Sequence, residues 1–221
     1  MPAEVRVQGH TVVVVAGGTS SQSPLDGIVP AGATVIAADG GIDRALALGL
    51  RIDLAIGDFD SASANGIEAA ETQGARFDRH PAEKDATDLE LALDAALALR
   101  PDRIVVIGDG GGRLDHLLSA CLLLAADTYA AVTLDAYFGV AALHVIRGSR
   151  TITGTAGELV SLIPVHGRAE GVTTSGLAYP LLGEALEAGS SRGVSNVFAG
   201  SEATVTVERG VIVAVRPGES L

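Results

Sequence analysis

Asp58 and Asp60 stand two residues apart in LAIGDFDSAS, residues 54–63, where an apolar run ends in Gly57. Two converging carboxylates repel each other unless a proton or a cation lies between them. A hard divalent ion such as Mg²⁺ suits oxygen ligands of this kind and usually keeps its own waters and a substrate phosphate. Three further loops carry related chemistry. AADGG places Asp39 and Gly40 after another apolar run. EKDATDLELAL sets Lys84, the one lysine of the chain, beside Asp85, with Thr87 and Asp88 opening a helical pattern. A helix N-terminus is an anion site through its free N–H groups, but Thr87 or Asp85 equally reads as an ordinary cap. IGDGGGRLDH, residues 107–116, is a Gly-rich loop after an apolar run, with Gly111 and Gly112 leading into Arg113, Asp115 and His116. It is neither the G-x-x-x-x-G-K-[ST] nor the G-x-G-x-x-G pattern. Its glycines would let backbone N–H groups approach a phosphate, and Arg113 offers a rigid two-pronged donor. His116 lies one helical turn beyond Arg113.

Each loop alone has a plain structural reading as turn or cap chemistry, and Ser61 could cap a helix starting near Ser63. Taken together they supply what metal-assisted chemistry on a nucleotide polyphosphate requires.

The elements that must hold these loops are legible as pattern. TVVVVAGG (11–18), ATVIAADGG (33–41), LAIGD (54–58) and RIVVIGDGGG (103–112) are continuous apolar runs ending in Gly or Asp. Continuous runs predict strands covered on both faces. GIDRALALGL, TDLELALDAALALR and RLDHLLSACLLLAAD between or after them have helical spacing. The alternation predicts an α/β domain with a mostly parallel sheet between helices, ligands binding at the carboxyl ends of its strands. After about residue 150 the texture changes to Gly, Thr, Ser and Val, and ATVTVE alternates as a half-buried antiparallel strand does. The expectation is an α/β nucleotide- and metal-binding domain over residues 1–149 and a C-terminal all-β sandwich domain over 150–221. GEALEAGSSRGVSN between the later strands reads as a loop carrying a short helix.

A chain of 221 residues with a formal charge of −12 excludes passive attraction to nucleic acid or an anionic membrane surface. A single cysteine, Cys121, makes no internal disulfide and no multi-Cys metal site, and its apolar neighbours read as core. No apolar stretch approaches transmembrane length and no signal peptide is seen, so the expected location is cytoplasmic.

The four motifs ADGG, GDFDS, KDxTD and GGRxDH, in this order, closely resemble those of the thiamine pyrophosphokinase (thiamine diphosphokinase) family. GELVSLIPVHG, GVTTSGLAYPL and GVSNVF resemble that family's β-domain signatures, so the likeness covers nearly the whole chain. The resemblance implies ATP-dependent pyrophosphoryl transfer to thiamine with Mg²⁺, giving AMP and thiamine diphosphate, and a homodimer with active sites at the subunit interface. It implies metal ligands among Asp39, Asp58, Asp60 and Asp85. It implies ATP contacts among Asp39, Gly40, Lys84, Asp85, Thr87, Gly111, Gly112, Arg113 and His116. Catalysis would rest on Asp58, Asp60, Asp88 and Arg113, and thiamine would meet Asp88, Ser195 and Asn196. Some members stack a Trp on thiamine near the Ser-Asn pair; this chain has no Trp, and Phe198 is the expected substitute. Many members have Glu after that pair, where this chain has Val197. Rival readings are a pyrophosphokinase for another small alcohol such as a hydroxymethylpterin, a metal-dependent phosphatase, and a non-catalytic thiamine or nucleotide sensor. The phosphatase reading is disfavoured because the first strand ends in AGGTS, without an acid.

Overall fold

The structure is a computed structural model that describes residues 9–18, 27–110 and 112–218. It divides into two compact units, the first comprising residues up to 17 with 25–106 and the second residues 18–24 with 107–221.

In the first unit β1 (Thr11–Ala16), β2 (Thr34–Ala38), β3 (Leu54–Gly57) and β4 (Arg76–Arg79) pair in parallel in the order β1-β2-β3-β4. The start of β5 (Arg103–Gly108) lies on the other side of β1. Val12, Val13, Val14 and Val15 are all fully buried, which is why the run does not alternate. Helices α1 (Gly41–Ala47), α2 (Ala64–Thr72) and α3 (Asp88–Ala98) fill the connections. α1 packs on β1 and β2, and α3 on β1, β2 and β3. The approach of α1 is close enough to demand Gly41: a Cβ there would sit 2.0 Å from the Val15 carbonyl oxygen. Ser63, not Ser61, caps α2, its Oγ accepting from Gly66 N at 2.9 Å. Thr87 caps α3, accepting from Glu90 N at 3.2 Å, and Asp88 and Glu90 then place acids in the first turn, where the helix dipole favours them.

After the end of β5, the second unit holds α4 (Leu114–Leu124) and then strands β6 (Thr133–Phe138), β7 (Ala141–Thr153), β8 (Leu159–Ser175), β9 (Leu182–Leu186), β10 (Asn196–Val197) and β11 (Glu202–Arg216). Their order is β10-β8-β11-β7-β6, with β9 also on β8, and the pairings are antiparallel. Ala203, Val205 and Val207 are buried while Glu202 and Glu208 are exposed, as the alternation in ATVTVE requires. Register breaks between Val207 and Ile212 and between Arg209 and Val211 mark where the long strands bend. The expected short helix in GEALEAGSSRGVSN is instead strand β9, pinned by Ala169 opposite Leu186 and by burial of Leu186. Burial of that one leucine against β8 overrides the helical propensity of Glu, Ala and Leu.

Candidate active site

Asp39 and Asp58 are the first residues past the carboxyl ends of β2 and β3. Parallel pairing with Ala38 opposite Ile56 puts the two ends level. Asp39 takes φ +44°, and its N–H donates to the Ile56 carbonyl at 2.8 Å, which turns the chain at the sheet edge. Gly57 takes φ +141°; a Cβ there would come 3.0 Å from Asp88 Oδ1 and 3.2 Å from Asp39 Cβ. Glycine at 57 is therefore what lets Asp39, Asp58 and Asp88 crowd together.

The GDFDS loop is fastened at several points. Asp58 Oδ1 accepts from Asp60 N at 3.1 Å, Ser61 Oγ donates to Asp60 Oδ1 at 2.9 Å, and Ser61 N donates to Asp39 Oδ1 at 3.4 Å. Asp43 on α1 holds the loop's far end: Ser63 N donates to Oδ2 at 2.7 Å and Ser63 Oγ to Oδ1 at 2.5 Å. Nothing in the motif pointed to Asp43; only its 20-residue partner reveals it.

Asp39, Asp58 and Asp60 each bring a carboxylate oxygen into a group whose members lie within 4.8 Å of one another. Three all-oxygen ligands at that spacing fit a hard divalent cation, with room for waters and phosphate. Asp85 is exposed and lies outside this trio. Lys84 stands beside the trio rather than free: Nζ is 3.5 Å from Asp58 Oδ2 and 3.1 Å from Asp88 Oδ1, and donates to the Pro81 carbonyl at 3.1 Å.

The electrostatics follow from these contacts. The Asp60 N–H bond is the main reason that the Asp58 carboxyl lies below its ordinary pKa, with Lys84 adding to it against a partial burial cost. Burial would lower the Lys84 ammonium, but Asp88 and Asp58 outweigh it and raise its pKa. The Asp58 contribution to stability is therefore present above the ordinary carboxylate range and is lost as pH falls through its depressed value; that of Lys84 is present below its ordinary value and lost as pH rises through the raised one. Lys84→Met is expected to move the Asp58 pKa part of the way back toward 3.8, because the Asp60 N–H remains. A ¹³C-carboxyl NMR titration of the metal-free protein checks this, and an unmoved Asp58 would remove Lys84 from the site's charge balance.

The remaining expected residues are placed as follows. Thr87 spends its hydroxyl on the α3 cap, and Gly40 lies against Ser61, where a Cβ would be 3.2 Å from its carbonyl oxygen. Gly111 lies outside the described residues, and Gly112 takes φ +79°. Arg113 is exposed and forked onto Asp115, Nη2 to Oδ2 at 2.6 Å and Nε to Oδ1 at 3.2 Å, which holds the Asp115 carboxyl down at about 2. His116 is exposed. Cys121 is half-buried, and burial raises its thiol pKa.

In the second unit, Ser195 is exposed, takes φ +57°, and donates its N–H to Ser161 Oγ at 3.1 Å. Asn196 is buried, and its amide is committed inward: Oδ1 accepts from Tyr179 N at 3.1 Å and Nδ2 donates to the Tyr179 carbonyl at 2.7 Å. Phe198 is 1% exposed, in one apolar cluster with Leu162, Leu177 and Leu186. Its ring is enclosed by that cluster and presents no open face in this structure. The exposed aromatic is Tyr179, in the GLAYPL stretch that Asn196 braces, at 61% exposure. No sequence signal marks it: 17 residues separate it from Asn196, and only the hydrogen bonds between them bring the two together.

The model for "Thiamin pyrophosphokinase, catalytic domain" matches residues 28–134, and that for "Thiamin pyrophosphokinase, vitamin B1 binding domain" matches residues 144–212. A Bacillus subtilis protein described as thiamine pyrophosphokinase is 31% identical, over 93% of this chain and 98% of its own. The chain belongs to the thiamine pyrophosphokinase family. Solved structures agree. Thiamine pyrophosphokinase from Bacillus subtilis superposes with a TM-score of 0.84 at 28% identity, covering 95% of this chain and 99% of that one. The thiamin pyrophosphokinase of Geobacillus thermodenitrificans gives 0.80 at 30% identity, covering 95% and 98%. Asp39, Asp58 and Asp60 of this family member lie within the segment matched by the catalytic-domain model, and Tyr179, Ser195 and Asn196 lie within that matched by the vitamin B1 binding model.

Proposed function

We propose that the chain is a thiamine diphosphokinase that moves the pyrophosphoryl group of ATP to the hydroxyethyl oxygen of thiamine, releasing AMP. The observation that carries this is the convergence of Asp39, Asp58 and Asp60 beside Lys84 at the carboxyl edge of a parallel sheet, in a chain of this family. A bond forms between the thiamine oxygen and the β-phosphorus, the β-phosphorus to bridging-oxygen bond breaks, and the hydroxyl proton passes to a carboxylate. Asp60 and Asp88 are the candidates for that acceptor. Mg²⁺, held by Asp39, Asp58 and Asp60, would neutralise phosphate charge as the leaving group departs. Lys84 keeps the acid group in register and adds a fixed positive charge where the polyphosphate lies. Asp85, exposed, would act from the ATP side. Arg113 must leave Asp115 to reach a phosphate; the exchange trades one charge-assisted fork for another.

Tyr179 and Ser195 are the proposed thiamine contacts, and Asn196 acts by holding Tyr179 in place. We take the catalytic role to span residues 1–149 and the thiamine-binding role 150–221, with the second part a β-sandwich; the bends in its long strands and the single apolar cluster around Leu162 and Phe198 support that. A cytoplasmic location belongs to this reading; among the described residues no helix is long and apolar enough to cross a membrane. A homodimer would cover the exposed Leu114, Leu118 and Leu122, which recur every four residues along one face of α4. Leu118→Glu is expected to shift the sedimenting species from dimer to monomer; an unchanged dimer would place the interface elsewhere.

The deciding experiment supplies thiamine and a hydroxymethylpterin separately with MgATP. AMP and thiamine diphosphate in equal amounts, without ADP, is the expected result with thiamine. AMP formed only with the pterin, or no AMP with either, would overturn the assignment in favour of the other alcohol or of a sensor.

A further inference from the structure

We propose that Arg79 is a positioning residue for the divalent-cation site, acting by clamping Phe59 in the backbone conformation that makes Asp58 and Asp60 converge. This rests on the metal-site reading above. Phe59 lies between the two acids and takes φ +64°, a region that a bulky residue rarely adopts and keeps only where its surroundings enforce it. The enforcing contacts are visible. The Phe59 ring is 6% exposed and meets Phe77 edge-on, with centroids 5.3 Å apart and planes at 67°. The Arg79 guanidinium covers it, Cζ 4.8 Å from the Phe59 centroid and 5.9 Å from that of Phe77. Phe77 and Arg79 are alternate residues of edge strand β4, so they share one face, and parallel pairing sets Arg79 opposite Gly57 at the root of the loop. The clamp and the acid loop are therefore anchored to the same point of the sheet.

The consequence for the acids is geometric. Asp58 Oδ1 closes a turn onto Asp60 N across Phe59. Return of Phe59 to negative φ redirects the chain between them and opens that turn, which separates the two carboxylates from each other and from Asp39. Arg79 is an exposed residue whose guanidinium lies over both rings, and that stacking is what places it. A planar guanidinium covers a ring better than an ammonium does. β4 itself, RFDR, is otherwise an exposed edge strand with no core to explain an arginine held in this way.

The test uses the full chain and the variants Arg79→Ala and Arg79→Lys, with Mn²⁺ alone as the probe. Free Mn²⁺ is counted by electron paramagnetic resonance, and the Phe59 ¹³Cα and ¹³Cβ shifts report its φ without any metal. Arg79→Ala is expected to move those shifts away from the left-handed pattern and to weaken Mn²⁺ binding about fivefold to tenfold. The Mg²⁺ concentration for half-maximal turnover should rise by a similar factor, more than kcat at saturating Mg²⁺ falls. Arg79→Lys should recover only part of each. Phe59 shifts that stay left-handed in Arg79→Ala, or Mn²⁺ affinity within twofold of the parent, overturn the clamp. A fall in kcat alone, with Mn²⁺ affinity intact, also overturns it and makes Arg79 a substrate contact. A parent protein that binds no Mn²⁺ sensitive to Asp58→Asn overturns the metal-site reading itself, and is told apart because the parent rather than the variant fails.

Discussion

Asp58→Asn is expected to lower kcat by about 10²-fold or more while leaving the thermal unfolding midpoint nearly unchanged. The substitution separates two explanations of the same residue. If Asp58 only closes the turn across Phe59, asparagine is an equally good turn former, and its Oδ1 still accepts from Asp60 N. Activity would then survive. If Asp58 is one of three oxygen donors for a divalent cation, asparagine keeps the shape and removes the charge. The trio drops from three carboxylates to two, and Lys84, 3.5 Å from Asp58 Oδ2, retains only Asp88 as an ion partner in this site. The site then presents less negative charge to a cation, with the positive charge of Lys84 unchanged. The position is partly exposed and asparagine keeps the turn across Phe59, so the unfolding midpoint should move little. Steady-state kinetics over a Mg²⁺ series and a thermal melt make the comparison. A variant with full turnover at saturating Mg²⁺ would remove Asp58 from the ligand set.

How far the sequence led depended on whether a residue's partner was close along the chain. β1, β2, β3 and β5 were legible because full burial leaves continuous apolar runs, and α3 because Thr87 and Pro101 punctuate it. β4 was not legible. RFDR is an exposed edge strand whose membership depends on Gly57 and Ala55 of its neighbour, not on any pattern of its own. β6 is hidden in the sequence for a different reason. Its TLDAYF carries a buried Asp135, which reads as a turn residue until Arg150 Nη2 and His144 Nδ1 are seen at 2.5 and 2.7 Å. β9 reads as helix in the sequence because its helical propensity is real and only β8 overrules it. The site divides in the same manner. Asp39, Asp58 and Asp60 were recognisable as acids at strand ends, and the loops' order gave the family. What the string could not show was that Asp85 falls outside the trio, that Arg113 is already forked onto Asp115, and that Asp43 and Arg79 brace the loop. Each of those is a long-range contact or a choice among local partners.

The two aromatics of the thiamine-binding part should respond to truncation in opposite ways. Tyr179→Ala is expected to raise KM for thiamine about fivefold or more, since loss of one aromatic stacking contact is worth about 1 kcal/mol beyond its area and 1.4 kcal/mol is tenfold. The unfolding midpoint should hardly move, because the ring is 61% exposed and its loop is fixed through the backbone by Asn196. Tyr179→Trp should keep thiamine affinity, the larger ring offering the same face. Phe198→Ala should instead cost about 3–5 kcal/mol of stability. Its ring is 1% exposed, sits so close to Gly154 that a Cβ there would lie 2.7 Å from it, and lies 6.0 Å from the Arg216 guanidinium. Whatever fraction of Phe198→Ala remains folded should show a thiamine KM near that of the parent. Thermal melts and initial-rate kinetics on the two variants therefore form a crossed pair. Reversed results, with Phe198→Ala raising KM at unchanged stability, would return the stacking role to Phe198 and require its ring to become exposed when thiamine binds. Tyr179→Ala with unchanged KM would leave the missing tryptophan without a replacement and shift thiamine recognition onto Ser195 and the acids. The crossed outcome is expected from burial: a fully buried ring supports the fold from within, and an exposed ring keeps a face free to offer a ligand.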